Sequence, residues 1–168
     1  MSKLLRILKH CWLDERDTQR ALGKGTLAQL EARVQASEKT HSGEIRLCFE
    51  AGLPLSYLWK NLTARDRAIA MFGKLRVWDT EANNGVLIYL LLADRAIEIV
   101  ADRGLARGVT PEHWRAVVDG MGEAFRAGRY EQGLAAAIAA VDETLRLHFP
   151  LAAGQANPNE LPDRPTLG

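Results

Sequence analysis

The feature that most constrains the fold is a pair of apolar segments separated by two charged residues. Val86–Ala93 is apolar throughout, and only Asp94 and Arg95 separate it from the apolar-rich segment Ala96–Ala101. A strand that is apolar on both faces has to be covered on both faces, as in the interior of an α/β protein. The short polar break predicts a tight turn and an antiparallel hairpin. Eight apolar residues are far short of the roughly 20 needed to cross a bilayer, so we expect no transmembrane segment.

A further strand and its connection to the hairpin indicate the fold class. Glu44–Glu50 alternates strictly between polar and apolar residues, which predicts a strand with one solvated face near a sheet edge. A helix predicted from Thr63 to about Lys74 joins this strand to Val86–Ala93, as in a parallel crossover. Further helices are expected before the first strand and after the hairpin. The pattern predicts an α/β fold, a three-layer α/β/α sandwich with a small mixed sheet and helices on both faces.

The chain divides into three segments on composition. Its 168 residues fit one domain. We predict a helical extension over residues 1–25, an α/β domain over residues 26–150 and a flexible tail over residues 151–168. The tail carries three prolines and few large apolar residues, which is typical of a loosely held segment.

The first twelve residues combine an apolar stripe with basic charge. Leu4, Leu8 and Trp12 recur at helical spacing, which predicts an amphipathic helix. Its basic residues are Lys3, Arg6 and Lys9, and no acidic residue accompanies them. Two interpretations stay open: the helix packs on the domain, or it presents a surface to a membrane or a partner protein. No uninterrupted apolar stretch of a signal peptide is present, so we expect a cytoplasmic protein that reaches a membrane only through a partner.

Charge and cysteine content exclude several functions. The chain has 22 basic and 21 acidic residues, for a formal net charge of +1. No nucleic-acid partner is expected, since such proteins carry a basic stripe. Two cysteines cannot form a four-cysteine zinc site. Cys48 has no arginine six residues later, so the Cys-x5-Arg loop of cysteine phosphatases is missing.

Polar side chains collect where the Val86 strand begins and the next strand ends. In an antiparallel hairpin these two points lie at the same sheet edge. The candidate metal ligands there are Asp79, Glu81, Asn83, Asn84 and Asp102. Their oxygens suit a hard divalent cation such as calcium or magnesium, and Arg103 could bind a phosphate. The alternative is that the two asparagines form a turn and that Asp102 and Arg103 form an ion pair.

Three other charged residues are weaker candidates for a ligand site. Asp94 and Arg95 lie at the opposite end of the hairpin, where a turn with a surface ion pair is the simpler interpretation. Glu98 lies in the middle of the last predicted strand, on a solvated face or at a cleft.

Several segments together resemble the TPM domain family. They occur in the family's order over roughly residues 27–149, and none is diagnostic alone. The segments are Thr40–Arg46, Asn83–Ile88, Asp94-Arg95, Ile99–Gly104, Trp114 and Phe125–Gly133.

The resemblance implies a Rossmann-like α/β/α sandwich and leaves two functions open. Plant members are described as phosphatases, and divalent-cation binding is described in the family. Many bacterial members carry a signal peptide and a membrane tail and are linked to LemA-type membrane proteins. This chain is more similar to a short soluble subgroup that ends in Leu147–Pro150. One hypothesis is a non-enzymatic accessory domain that binds a membrane protein, either LemA-type or a membrane-bound TPM paralogue. The other is a metal-dependent phosphatase-like hydrolase of phosphate monoesters.

Overall fold

The computed structural model describes residues 3–168, and within that range the chain forms eight helices and four strands. In chain order they are α1 (Lys3–Trp12), α2 (Glu15–Leu22), α3 (Thr26–Glu38), β1 (Glu44–Glu50), α4 (Leu55–Trp59), α5 (Ala64–Lys74), β2 (Gly85–Leu91), β3 (Ala96–Ala101), α6 (Arg103–Ala106), α7 (Pro111–Arg126), α8 (Tyr130–His148) and β4 (Thr166–Leu167).

The four strands form one mixed sheet in the order β3-β2-β1-β4. β1 and β2 are parallel and joined through α4 and α5, while β2 and β3 form the predicted antiparallel hairpin. The turn between them places Arg95 at a φ of 49°. The mixed sheet and the α/β class are therefore confirmed.

Side chains that alternate along the strands form two apolar cores, one on each face of the sheet. Ile45, Leu47 and Phe49 of β1 point into the larger core, which α2, α3, α7 and α8 cover. Leu87 and Tyr89 of β2 point into the smaller core, which α4 and α5 cover. Two helical layers with a sheet between them make the predicted sandwich.

Side-chain caps define where the covering helices begin. The Thr63 hydroxyl accepts from the Asp66 N–H, and the Asp66 carboxylate accepts from the Thr63 N–H, so α5 starts with a capping box. The Thr110 hydroxyl accepts from the His113 N–H, and Pro111 is the first residue of α7.

The prediction that β1 has a solvated face near an edge is wrong. β1 lies between β2 and β4, and its polar residues Glu44 and Glu50 are buried. Each charged side chain of that face bonds to a segment distant in sequence. The Glu44 carboxylate accepts from the Leu161 N–H, and Glu50 bonds to Arg67. Non-local partners satisfy most of the polar groups on this buried face, whereas Glu44 Oε1 has no hydrogen-bond partner within residues 3–168.

The segment over residues 151–168, which the sequence predicts to be a flexible tail, makes contacts with the sheet. Thr166–Leu167 pairs with Cys48 and Phe49 as the parallel strand β4, and Leu161 is buried. The guanidinium of Arg46 donates to Pro162 O, to Arg164 O at 2.7 Å and to Thr166 Oγ1 at 2.6 Å. The segment contacts the sheet with few apolar residues because hydrogen bonds from the backbone and from Arg46 hold it there.

Candidate functional site

The first helix packs with Arg6, Ile7 and His10 toward the domain and leaves most of its apolar side toward water. His10 is buried and Ile7 is half-buried, whereas Leu4, Leu8 and Trp12 are 74%, 52% and 82% exposed. An amphipathic helix normally buries its apolar stripe. The predicted helix is present, but its apolar side remains available.

Polar contacts hold α1 to the domain. Arg6 Nη2 donates to Leu62 O at 2.9 Å. The His10 ring lies between two groups: Nε2 is 3.0 Å from Asp94 Oδ1, and Nδ1 accepts from the Leu53 N–H at 3.0 Å. Burial lowers the pKa of His10, and Asp94 only partly opposes that effect. The neutral ring therefore joins α1 to the β2–β3 turn and to the segment after β1.

A short helix extends the exposed apolar area. α4 contacts α1, and its Leu55 and Trp59 are 52% and 66% exposed. The exposed apolar residues of both helices together form the α1–α4 surface, which consists of Leu4, Leu5, Leu8, Trp12, Leu55 and Trp59. Large exposed apolar patches mark binding sites on soluble domains.

The three basic residues predicted at a partner surface occupy different positions. Lys9 is exposed, and Lys3 is exposed with its Nζ 5.3 Å from the centre of the Trp59 ring. Arg6 is half-buried and faces the domain, where it also lies 3.7 Å from Asp94. Lys3 and Lys9 therefore border the α1–α4 surface, whereas Arg6 fastens the helix.

Four of the predicted ligand-site residues come together where β2 begins. The Asp102 N–H donates to Gly85 O, and Arg103 Nε donates to Asn83 Oδ1 at 2.9 Å. Gly104 lets these segments approach, since a Cβ at that position would lie 2.3 Å from Asn83 O. Arg103 and Arg107 line a cavity of about 260 Å³ at this edge.

Two of the predicted ligands at this edge contain a buried oxygen with unused hydrogen-bonding capacity. Asn84 donates to Ser42 O, and Asp102 Oδ1 accepts from the Arg103 N–H as the cap of α6. Within residues 3–168, neither Asn84 Oδ1 nor Asp102 Oδ2 has a hydrogen-bond partner. Buried polar atoms are rarely left without a partner, so these two oxygens are the strongest ligand candidates among the predicted residues, and Glu44 Oε1 on the neighbouring strand is a third oxygen in the same condition.

The other two predicted ligands have different partners. Asp79 is exposed and its Oδ2 pairs with Arg76 Nη2 at 2.6 Å. Glu81 is exposed, and its N–H donates to the Glu160 carboxylate. Over the described range, residues 3–168, no group of three or more His, Cys, Asp or Glu is placed to hold a metal ion. Two buried oxygens are few for a hard cation, which takes about six to eight oxygen ligands.

The weaker candidates lie apart from that edge. Asp94 faces α1 at the opposite end of the hairpin, and the Arg95 guanidinium donates to Arg126 O. Glu98 Oε2 lies 3.6 Å from Arg65 Nη1 at the rim of a groove along β3, and burial raises its pKa.

A buried polar network was missed by the sequence analysis. Glu50 accepts from Arg67 through both carboxylate oxygens and from the Tyr89 hydroxyl at 2.8 Å. Burial raises the pKa of Tyr89, and the bonded Glu50 raises the pKa of Arg67. Nothing in the local sequence around Glu50 signals this network, because Arg67 and Tyr89 lie on other elements.

A second missed cluster contains a serine, a histidine and an aspartate. Ser37 Oγ lies 2.8 Å from His41 Nε2 and donates to Asp142 Oδ1 at 2.7 Å. His41 is fully buried and Ser37 is 8% exposed, so a substrate has no access to the serine. The cluster joins α3 to α8. Burial likewise raises the pKa of Cys48 to about 12, which keeps it an unreactive thiol.

The layers, the parallel crossover and the hairpin define a compact α/β sandwich domain. A sequence model of the TPM domain matches residues 16–144, and the chain belongs to the TPM domain family. The match covers most of the sandwich and supports the resemblance noted from its segments. No curated protein matches the chain significantly.

Solved structures show the same fold. The BA42 protein of the psychrophilic bacterium Bizionia argentinensis, determined by NMR, is 27% identical with a TM-score of 0.74, over 87% of this chain and 94% of that one. The N-terminal domain of a P. gingivalis protein, also an NMR structure, is 20% identical with a TM-score of 0.62, over 78% and 82% of the two chains. Among residues 3–168, no helix is both long enough and apolar enough to cross a bilayer.

Proposed function

We propose that this chain is a non-enzymatic accessory domain that binds a partner within a membrane protein system. The α1–α4 surface is the observation that carries the proposal. It leaves large apolar side chains exposed on a helix whose polar side is already used to hold it in place. Exposed apolar area of this kind is typical of interaction sites. The TPM resemblance suggests a LemA-type membrane protein, or a membrane-bound TPM paralogue, as the partner.

Membrane fractionation tests this function. The full chain is produced together with a LemA-type membrane protein, and the two are expected to co-purify from the membrane fraction. Leu8→Ser/Trp12→Ser reduces this recovery, whereas Leu147→Ser, an equally exposed leucine on α8, does not. Recovery of the wild-type chain only in the membrane-free supernatant would contradict the proposal.

A metal-dependent phosphatase-like hydrolase is the second candidate, and the free oxygens of Asn84 and Asp102 favour it. A divalent cation held there would supply charge that polarises a phosphate ester. Arg103 and Arg107, which line the adjoining cavity, would bind the phosphate oxygens. The small number of free protein oxygens counts against this candidate, and water would have to complete the ligand shell.

Hydrolysis of p-nitrophenyl phosphate tests the second candidate. Asp102→Asn keeps a side-chain acceptor for the α6 cap but weakens cation binding, so it should lower turnover and abolish any rise in melting temperature caused by calcium or magnesium. EDTA should have the same effect on the wild-type chain. Turnover unchanged by both treatments would indicate a contaminating phosphatase.

A further inference from the structure

We infer that the α1–α4 surface binds directly to an anionic lipid bilayer. The inference rests on the proposed function, because it names what that surface contacts at a membrane. It concerns the lipid and not the protein partner, so the two can fail separately.

The geometry of α1 matches that of a helix lying in the plane of a membrane surface. Ten residues give a cylinder about 15 Å long. Leu4, Leu8 and Trp12 follow one another along its outer side, and Trp59 is exposed on the neighbouring α4, in contact with Lys3. Helices that lie in an interface carry such Leu and Trp residues on one side and basic residues on the other. Tryptophan in particular prefers the headgroup level of a bilayer.

The charges around this surface favour anionic lipid. α1 contains Lys3, Arg6 and Lys9 and no acidic residue. Lys3 and Lys9 are exposed, and so is Lys60, which follows α4. At the border of the apolar stripe, the aliphatic stem of Lys9 would lie along the acyl region while its ammonium group reaches the phosphates. Lys3 Nζ donates to Trp59 O at 3.0 Å and would exchange that bond for one to a phosphate. Each such charge adds attraction to an anionic surface, and salt screens that attraction.

A second copy of the chain suits this surface less well. Pairing two α1–α4 surfaces would bring the lysines of both copies together, and like charges repel. The apolar stripe of one ten-residue helix is also short for a stable protein interface, which buries about 800 Å² per partner. A bilayer contact has no such minimum, because each inserted side chain adds to the binding.

The docked position of α1 is compatible with this contact. Arg6 and His10 hold the helix from its inner side, so the outer side can enter the headgroup region without moving the helix. The inserted residues are those already exposed, and the domain core stays intact.

Co-sedimentation of the full chain with protein-free vesicles tests the inference. We expect binding to vesicles containing about one-third phosphatidylglycerol or phosphatidylserine in phosphatidylcholine, and weaker binding to pure phosphatidylcholine. Raising the salt concentration should weaken the part of the binding that depends on anionic lipid. Trp12→Phe retains an apolar side chain and should still bind, but the blue shift of tryptophan fluorescence on binding should shrink.

Matched variants distinguish binding through the α1–α4 surface from nonspecific hydrophobic adsorption to vesicles. Leu8→Ser/Trp12→Ser should lower the vesicle partition coefficient at least about tenfold, since it removes two inserted side chains. Leu147→Ser removes a side chain of comparable exposure on α8 and should leave binding unchanged. Lys9→Gln should reduce binding to anionic vesicles severalfold, while Lys24→Gln should not. All these positions are exposed, and equal melting temperatures of the variants would confirm that each one folds.

Three results would overturn the inference. One is failure of the wild-type chain to bind any protein-free vesicle, which leaves the accessory function standing if the LemA-type partner still co-purifies. Another is equal vesicle binding by Leu8→Ser/Trp12→Ser and the wild type. The third is a concentration-dependent dimer that the same double variant abolishes, without lipid binding, which would make a second copy the occupant.

Discussion

The Nε2 atom of His10 lies 3.0 Å from Oδ1 of Asp94, which fastens the first helix to the turn between β2 and β3. Nδ1 of the same ring accepts a hydrogen bond from the Leu53 N–H, so Nε2 carries the proton of the neutral ring. A second proton would have to go on Nδ1, where it would face the Leu53 N–H. The contacts of His10 with Asp94 and with Leu53 therefore fit the neutral form of the ring.

We predict that His10 and His41 make a contribution to stability that is lost as the solution is acidified. Burial lowers the pKa of both His10 and His41 below the ordinary value of 6.5. The unfolded chain then binds more protons than the folded one as the pH falls through this range, and the free energy of unfolding decreases. His10→Asn keeps an acceptor for Leu53 without titrating, so its urea unfolding should depend less on pH between about 7 and 5. His148→Gln, at an exposed histidine, should follow the wild type, and equal slopes for His10→Asn and wild type would contradict the prediction.

A second prediction concerns alkaline conditions and Glu38. Burial, together with the neighbouring Glu44 and Asp163, raises the pKa of Glu38 to about 9 from 4.5, while the Ile45 N–H lowers it in part. The folded state therefore retains a proton that the unfolded state releases, and the contribution of Glu38 to stability declines as the pH rises from about 4.5 towards 9. Glu38→Gln resembles the protonated carboxyl and should raise the free energy of unfolding at pH 7 by about 2 kcal/mol. Its pH profile should be flatter, whereas Glu31→Gln on the same helix should leave the profile unchanged.

A third prediction addresses the network between the sheet and α5. The side chains of Arg67 and Glu50 are 14% and 8% exposed, so removing one partner leaves a buried charge. Arg67→Met should cost about 3–5 kcal/mol in urea unfolding, and Glu50→Gln/Arg67→Met should recover part of that loss. Arg115→Met breaks a pair with Glu112 in which both side chains are about 70% exposed, and it should change stability by less than about 1 kcal/mol. A small change in the free energy of unfolding for Arg67→Met would show that the network does not stabilise the packing of α5 on the sheet.

The fourth prediction compares two glycines. A Cβ on Gly85 would lie 2.1 Å from Val77 O, a backbone atom that cannot move aside easily, so Gly85→Ala should destabilise the domain by about 1–3 kcal/mol or more. Gly120 lies inside α7, where an added methyl group would meet nothing within 4 Å, and Gly120→Ala should stabilise the domain by roughly 0.5–1 kcal/mol. Thermal unfolding of the two variants should move in opposite directions. A rise in the melting temperature of both variants would mean that the close approach at Gly85 relaxes readily, and a fall in both would contradict the prediction for Gly120.

Three of the four strands could be predicted because their signals are local. The uninterrupted apolar run of β2 and the two-residue break before β3 determine the hairpin, and the helix between β1 and β2 determines a parallel crossover. Alternation along β1 correctly predicted which side chains share a face. It could not show that the polar face is buried, because the partners of Arg46 and Glu44 lie more than 110 residues away along the chain.

The candidate sites were only partly predictable because many of their side-chain partners are distant in sequence. Antiparallel pairing brings Asn83 and Asp102 to one edge, and that follows from the hairpin alone. The different partners of Asp79 and Glu81 depend on loop conformations that carry no periodic signal. The stripe of α1 was visible in the sequence, but its outward orientation follows from the contacts of Arg6 and His10 with residues more than 50 positions away.

The pairing of β4 with β1 has a consequence for how the chain is made. Cys48 and Phe49 acquire their second neighbouring strand only when Thr166 and Leu167 have left the ribosome. Until then, a growing chain displays one unprotected edge of its central strand to other nascent chains, and such edges promote misassembly. Synthesis of residues 50–165 sets the duration of that exposure. Slow translation of this region would increase the demand for a chaperone that shields the edge.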